Sequence, residues 1–237
     1  MSKSNDNVIM RIKKRANADK QDKKIVLIIY TITFYSVWAI FELFGKEFID
    51  NIIENEYISQ LIKSGIIKSI VWTLPAILLI YNFKSDVYVT LKEMFSTKVN
   101  WLKYLPIFII FTVWILIVSI LQNGKLEIVS DFGISEVIIV IFVGLTEEIV
   151  FRGWLLNSTI REDKKWICIL INSIMFLAIH FPKYIYNGTF ANIFISFDFL
   201  GIIILSIIFS HTFIKSKNIL VPITLHMYWD LLVFMFL

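Results

Sequence analysis

Apolar residues in this chain fall into long unbroken runs, not into the short alternating segments of half-buried strands. Seven runs stand out, at roughly 25–43, 64–83, 104–122, 135–156, 165–181, 196–214 and 219–237. Each reaches about the 17 or more residues that a helix needs to cross a bilayer. Backbone amides in lipid must be satisfied within their own segment or in a closed barrel. Barrel strands alternate apolar and polar positions, and these runs do not. The pattern predicts an all-α fold, a polytopic integral membrane bundle of about seven transmembrane helices. Pro75 and Pro222 fall inside the second and seventh runs, where neighbouring helices can satisfy the freed carbonyls.

Composition agrees, and it excludes a soluble domain. Of 237 residues, 57% are hydrophobic and 16% aromatic, with a mean hydropathy of +0.74. The formal charge of +4 is small and uneven, so it points to topology and to the lipid bilayer as partner, with no nucleic acid. Residues 1–24 hold eight Lys/Arg against three Asp and no apolar core, which reads as a basic cytoplasmic tail and not a cleavable signal peptide. Residues 44–63 carry two Lys against four acids, 84–103 four Lys against two, and 123–136 one Lys against three. Residues 157–165 hold one Arg and two Lys against two acids, and Lys215 and Lys217 follow. By the positive-inside rule this alternation places the N-terminus in the cytoplasm and the C-terminus outside the cell membrane. Lys68, inside the second run, is expected to snorkel from its outer end. Three parts follow: the tail 1–24, N-terminal membrane helices over 25–134, and a core of four spans over 135–237. Cys168 is the only cysteine, so no intramolecular disulfide forms, and it reads as a small buried hydrophobe.

Between the first two runs, Glu47–Ile62 shows apolar residues (Phe48, Ile49, Ile52, Ile53, Tyr57, Ile58, Leu61 and Ile62) at helical spacing beside a charged face. That pattern fits a helix lying in the outer interface or one packed against neighbouring spans.

The fourth run carries charges. Glu147 and Glu148 stand side by side in it, with Arg152 one turn on. Ionisable residues inside a span are costly and mark function. Glu148 and Arg152 share a helical face with the acid N-terminal to the base, the favourable order for a pair. Pairing lowers the cost of burying both. Glu147 points about 100° away and has no such partner in its segment, which suits a group that exchanges a proton near neutral pH. Local geometry thus assigns Glu148 to structure and Glu147 to chemistry. Phe176 and His180 share a face in the fifth run, and His226 and Asp230 share one in the last. Asp230 can hold the imidazole in one orientation, or the two can join as metal ligands. His211, near the cytoplasmic end of the sixth run, reads as structural.

Glu-Glu-x-x-x-Arg at 147–152, Phe-x-x-x-His at 176–180 and His-x-x-x-Asp at 226–230 resemble the three motifs of the CAAX protease and bacteriocin-processing family. Phe151-Arg152-Gly153-Trp154-Leu155-Leu156 is similar to that family's Phe-Arg-Gly-x-Leu-Leu. The resemblance covers about 138–237. It implies a polytopic intramembrane endopeptidase with catalytic residues Glu147, Glu148, His180, His226 and Asp230, and Arg152 as support. Glu147 and His180 would activate water, while His226 and Asp230 would stabilise the oxyanion or help hold a metal. The family often has Asn at the position of Asp230, and an ionised Asp cannot donate to an oxyanion. Asp230 is therefore read as orienting His226. Zinc would need Glu147, His180 and His226 plus water. The implied partner is a peptide or membrane-protein substrate, of either the prenylated C-terminal or the bacteriocin-type class.

Depth offers a check. Counted from the inner ends of their runs, Glu147 and His226 lie roughly 10–14 Å into the membrane and His180 about 22 Å. Tilt, or a deeper start to the fifth helix, has to close that gap. The alternative function is a non-proteolytic membrane immunity or scaffold protein of the same fold, which would tolerate Glu147→Gln. A transporter would show paired half-repeats and broken helices, and the chain has neither.

Overall fold

The computed structural model describes the backbone of residues 2–237 and the side chains from Gln21 onward. Most side chains of the expected basic tail, 1–24, therefore lie outside the described residues. The described residues form helices joined by loops, with no strand. Five helices are long and apolar enough to cross a membrane: Gln21–Ile52, Glu56–Asn82, Leu105–Asn123, Glu162–Tyr186 and Asp198–Ser216. A helix occupies each of the seven expected positions, but two fail that test. Leu220–Phe236 is apolar but shorter. Ile134–Glu148, continued by Ile149–Leu156, carries Glu136, Glu147, Glu148 and Arg152.

That charged helix sits in the middle of the bundle. All residues of Ile149–Leu156 are buried, as expected of a helix surrounded on every side. It packs against Leu61–Ile67, Leu74–Asn82, Lys165–Ala178, Asp198–Ser216 and Leu220–Phe236. Its charges therefore meet protein, not lipid. The helix starts where the Gly133 N–H donates to Glu136 Oε2 (2.8 Å). Asn157, at its far end, pairs its amide with both backbone groups of Val89 (2.7 and 2.8 Å).

Gly144 brings the terminal helix close. A Cβ there would stand 2.7 Å from Met227 Cγ and 3.3 Å from the Met227 amide nitrogen. Small residues permit such approach where no hydrophobic force drives helices together. Gly144→Val is expected to lower stability by about 1–3 kcal/mol through overpacking. Thermal unfolding in detergent checks this, and an unchanged midpoint would contradict the close packing.

The basic connections gather at one end of the bundle. Lys23 donates to the Asp86 carbonyl (2.7 Å), Asn157 holds Val89, and Asn218 Nδ2 donates to the Thr97 carbonyl (2.7 Å). In the same region Thr90 caps Leu91–Ser96. Hydrogen bonds from the Thr90 backbone and hydroxyl hold the exposed Glu93 carboxyl below its usual range. At the other end, Tyr186 Oη donates to Glu47 Oε2 (3.3 Å), joining 44–63 to 182–195. The segment Glu47–Ile62 is not one amphipathic helix. It breaks at Ile53, and Asn55 caps a new helix by accepting from the Ile58 N–H (3.1 Å). Its two arms prolong the first two spans, leaving Phe48, Ile52 and Tyr57 exposed.

Candidate active site

Glu148 and Arg152 are both fully buried, and Arg152 Nη1 donates to Glu148 Oε1 at 2.8 Å. The rest of the guanidinium is committed as well. Nη2 donates to Ser206 Oγ (2.7 Å) and to the Ser206 carbonyl (3.0 Å), and Nε to Ser210 Oγ (3.4 Å). The Phe176 ring covers it at 4.6 Å. The expected i,i+4 pair is therefore present, and the sixth-run helix supplies its remaining partners.

Glu148 does more than pair with Arg152. His226 Nδ1 lies 2.8 Å from the same Glu148 Oε1. A carboxylate only accepts, so Nδ1 carries the proton. The ring stacks on Phe209 at 5.0 Å. The hydrogen bond that orients His226 thus comes from Glu148, 78 residues away. Asp230, expected in that role, stands 3.5 Å from Nε2, an ion-pair distance beyond good hydrogen-bond geometry.

His180 lies where Lys165–Ala178 ends and the chain turns into Phe181–Tyr186. Its Nδ1 donates to the Phe176 carbonyl (3.0 Å), which leaves the Nε2 lone pair free as a base. Glu147, 6% exposed, makes no hydrogen bond or ion pair among the described residues. A cavity of about 350 Å³ is lined by Glu147, His180, His226 and Asp230 together. His180 thus shares one cavity with Glu147 and His226, despite the depth difference counted along their runs. His211 is not brought here; it stacks on Trp166 (5.8 Å) elsewhere. Cys168 is a half-buried free thiol on an apolar cavity of about 390 Å³.

Sequence reasoning missed one group. The same cavity is lined by Glu42, Lys46, Lys63, Lys68 and Lys183, all but Lys183 from the first two spans. Lys68 does not snorkel outward. It is 4% exposed, with its ammonium 4.5 Å above the Trp38 ring. A charge within an apolar run was the available signal, the same one that marked Glu147. The helices widen to π-type turns beside these residues, over Phe41–Gly45, Leu61–Ile67, Ser69–Thr73 and Ile149–Leu156. Such turns are frequent at functional sites.

Zinc does not fit this arrangement. Among the described residues no three His, Cys, Asp or Glu side chains are grouped to hold a metal ion. His226 has Nδ1 on Glu148 and Nε2 3.5 Å from Asp230, and it is not grouped with Glu147 and His180 as a ligand set.

Spans of this length around a buried cavity lined by Glu147 and two histidines define a polytopic helical membrane protein. Residues 131–232 match the family described as type II CAAX prenyl endopeptidase Rce1-like. The match takes in all three motifs and somewhat under half of the chain. By it, this region is similar to the CAAX protease and bacteriocin-processing family, a family of proteases. A search of curated proteins finds no match, and a search of solved structures finds none either.

Proposed function

We propose that this chain is an intramembrane endopeptidase in which Glu147 and His180 activate a water molecule. The observation that supports it is the convergence of Glu147, His180, His226 and Asp230, from three separate helices, on one cavity. Water held between the Glu147 carboxylate and His180 Nε2 gives a proton to Glu147 as its oxygen bonds to the peptide carbonyl carbon. The tetrahedral adduct then collapses. The C–N bond breaks, the proton on Glu147 passes to the leaving nitrogen, and an amine and a carboxylate result. Glu148 works through His226, which it holds in one orientation, and Arg152 keeps Glu148 in place. His226 and Asp230 border the space for the substrate carbonyl. The substrate is a membrane-associated peptide or protein.

Mass spectrometry of membrane and secreted peptides tests this, comparing cells that hold wild type with cells that hold His180→Ala at matched expression. Fragments produced only by wild type are expected. Identical fragment sets would favour a non-proteolytic immunity or scaffold role.

The N-terminus is proposed to be cytoplasmic, since the basic connections share one end. The cavity then opens outward, past Lys46, Lys63 and Lys183. In a Cys168→Ala background, Lys183→Cys should react with an impermeant maleimide on intact cells, and Lys217→Cys only after permeabilisation. The reverse pattern would invert the topology.

A further inference from the structure

We propose that Lys68 is a catalytic residue of this site, donating from Nζ to the oxyanion that forms when water adds to the substrate carbonyl. The assignment rests on the endopeptidase reading and completes it with a residue outside the matched family region.

A lysine in the interior is costly and is normally paired with an acid. Lys68 is buried, yet among the described residues its ammonium has no hydrogen bond and no ion pair. Its one close partner is the Trp38 ring, which attracts a cation without occupying its N–H donors. The neighbouring cavity lysines differ. Lys46 is paired with Glu42 (2.7 Å) and Lys63 with Asp50 (2.5 Å). Lys183 is exposed at the mouth. Lys68 is thus the buried cation of the cavity with its donors uncommitted. Lys68 and Glu147 line the same cavity. The two therefore face the same small volume.

Arg152 and His180 are already engaged. Arg152 spends its nitrogens on Glu148, Ser206 and Ser210. His226 gives its Nδ1 proton to Glu148, and its Nε2 faces Asp230. His180 donates to a backbone carbonyl. An ionised Asp230 only accepts. As the carbonyl π electrons move onto oxygen, negative charge develops in the cavity that Lys68 lines with its donors uncommitted. No bond to nitrogen forms. The ammonium holds the charge until the C–N bond breaks and the carbonyl is restored. A donor that is fixed before reaction stabilises such charge most effectively in a dry site.

The test uses the full chain in liposomes and a quenched-fluorescent peptide library, each sequence made with a free and an amidated C-terminus. Lys68→Met is expected to lower kcat by about 10²–10³-fold with KM nearly unchanged. Its unfolding midpoint should hold or rise, because an unpaired buried charge has been removed. Lys68→Arg should recover part of the rate. Wild-type kcat in Lys68→Met would overturn the assignment. So would a loss confined to KM and to free-carboxylate substrates, which would make Lys68 an anchor for the peptide terminus. A collapsed midpoint in both Lys68→Met and Lys68→Gln would assign Lys68 to folding and overturn it as well. A wild type that cleaves nothing would overturn the endopeptidase reading with it, whereas cleavage that ignores Lys68 leaves that reading standing.

Discussion

Glu147→Gln is expected to abolish peptide cleavage, by at least about 10²–10⁴-fold, while the protein stays inserted and folded. The size follows from removing a positioned general base. The amide has nearly the carboxylate's shape, but it can neither take a proton from water nor return one to the leaving nitrogen. Stability is spared because Glu147 opens on the cavity and has no hydrogen-bond partner to strand among the described residues. Loss of a buried carboxylate with no partner in its own helix also removes a desolvation cost. The check is the rate of peptide cleavage, with the detergent unfolding midpoint measured alongside. Cleavage at the wild-type rate would sink the water-activating role. A large fall in midpoint would mean that Glu147 is structural instead.

Arg152→Ala should do the opposite, costing the fold first and activity with it. Breaking a buried ion pair by removing one partner typically costs about 3–5 kcal/mol, since the other charge is left behind in a poor solvent. Here Glu148 is fully buried, and its Oε2 already lacks a hydrogen-bond partner. Arg152 leaves further gaps at Ser206 and Ser210 and beneath the Phe176 ring. Arg152→Lys should rescue only in part, because an ammonium cannot span Glu148, Ser206 and Ser210 as the planar fork does. The measurement is the unfolding midpoint and the yield of folded protein in detergent. A midpoint like that of wild type would show that the pair contributes little to stability.

Glu148 shows why such a site is only half legible in one dimension. Its contact with Arg152 follows from four-residue spacing on a helix, a local relation. Its contact with His226 joins residues 78 apart, and no periodicity announces it. Asp230, one turn from His226, was the partner that local spacing proposed. The neighbouring helix supplied a closer acceptor, and Asp230 remained at 3.5 Å. His180 is a similar case. Counting residues placed it too deep for the site, yet it lines the same cavity as Glu147 and His226. Lys68 carried the same signal as Glu147, a charge in an apolar run, but its run matched no motif. The segment 47–62 kept its apolar periodicity while Asn55 split it, because a side-chain cap can end one helix and start another without disturbing that pattern.

By itself, the sequence determined what lipid and the backbone dictate. Its long apolar runs, without the alternation of barrel strands, had to be helices, since a peptide group in hydrocarbon must be satisfied within its own segment or a closed barrel. Its buried charges had to be paired or functional, since isolation is too costly. Only the tertiary structure decided which charges meet across helices. It brought His226 to the Glu148 carboxylate, opened Glu147 onto a cavity shared with two histidines, and set Lys68 into the same space. Those contacts depend on how helices pack, and packing is settled by shape and close approach, as at Gly144 against Met227, which periodicity does not encode.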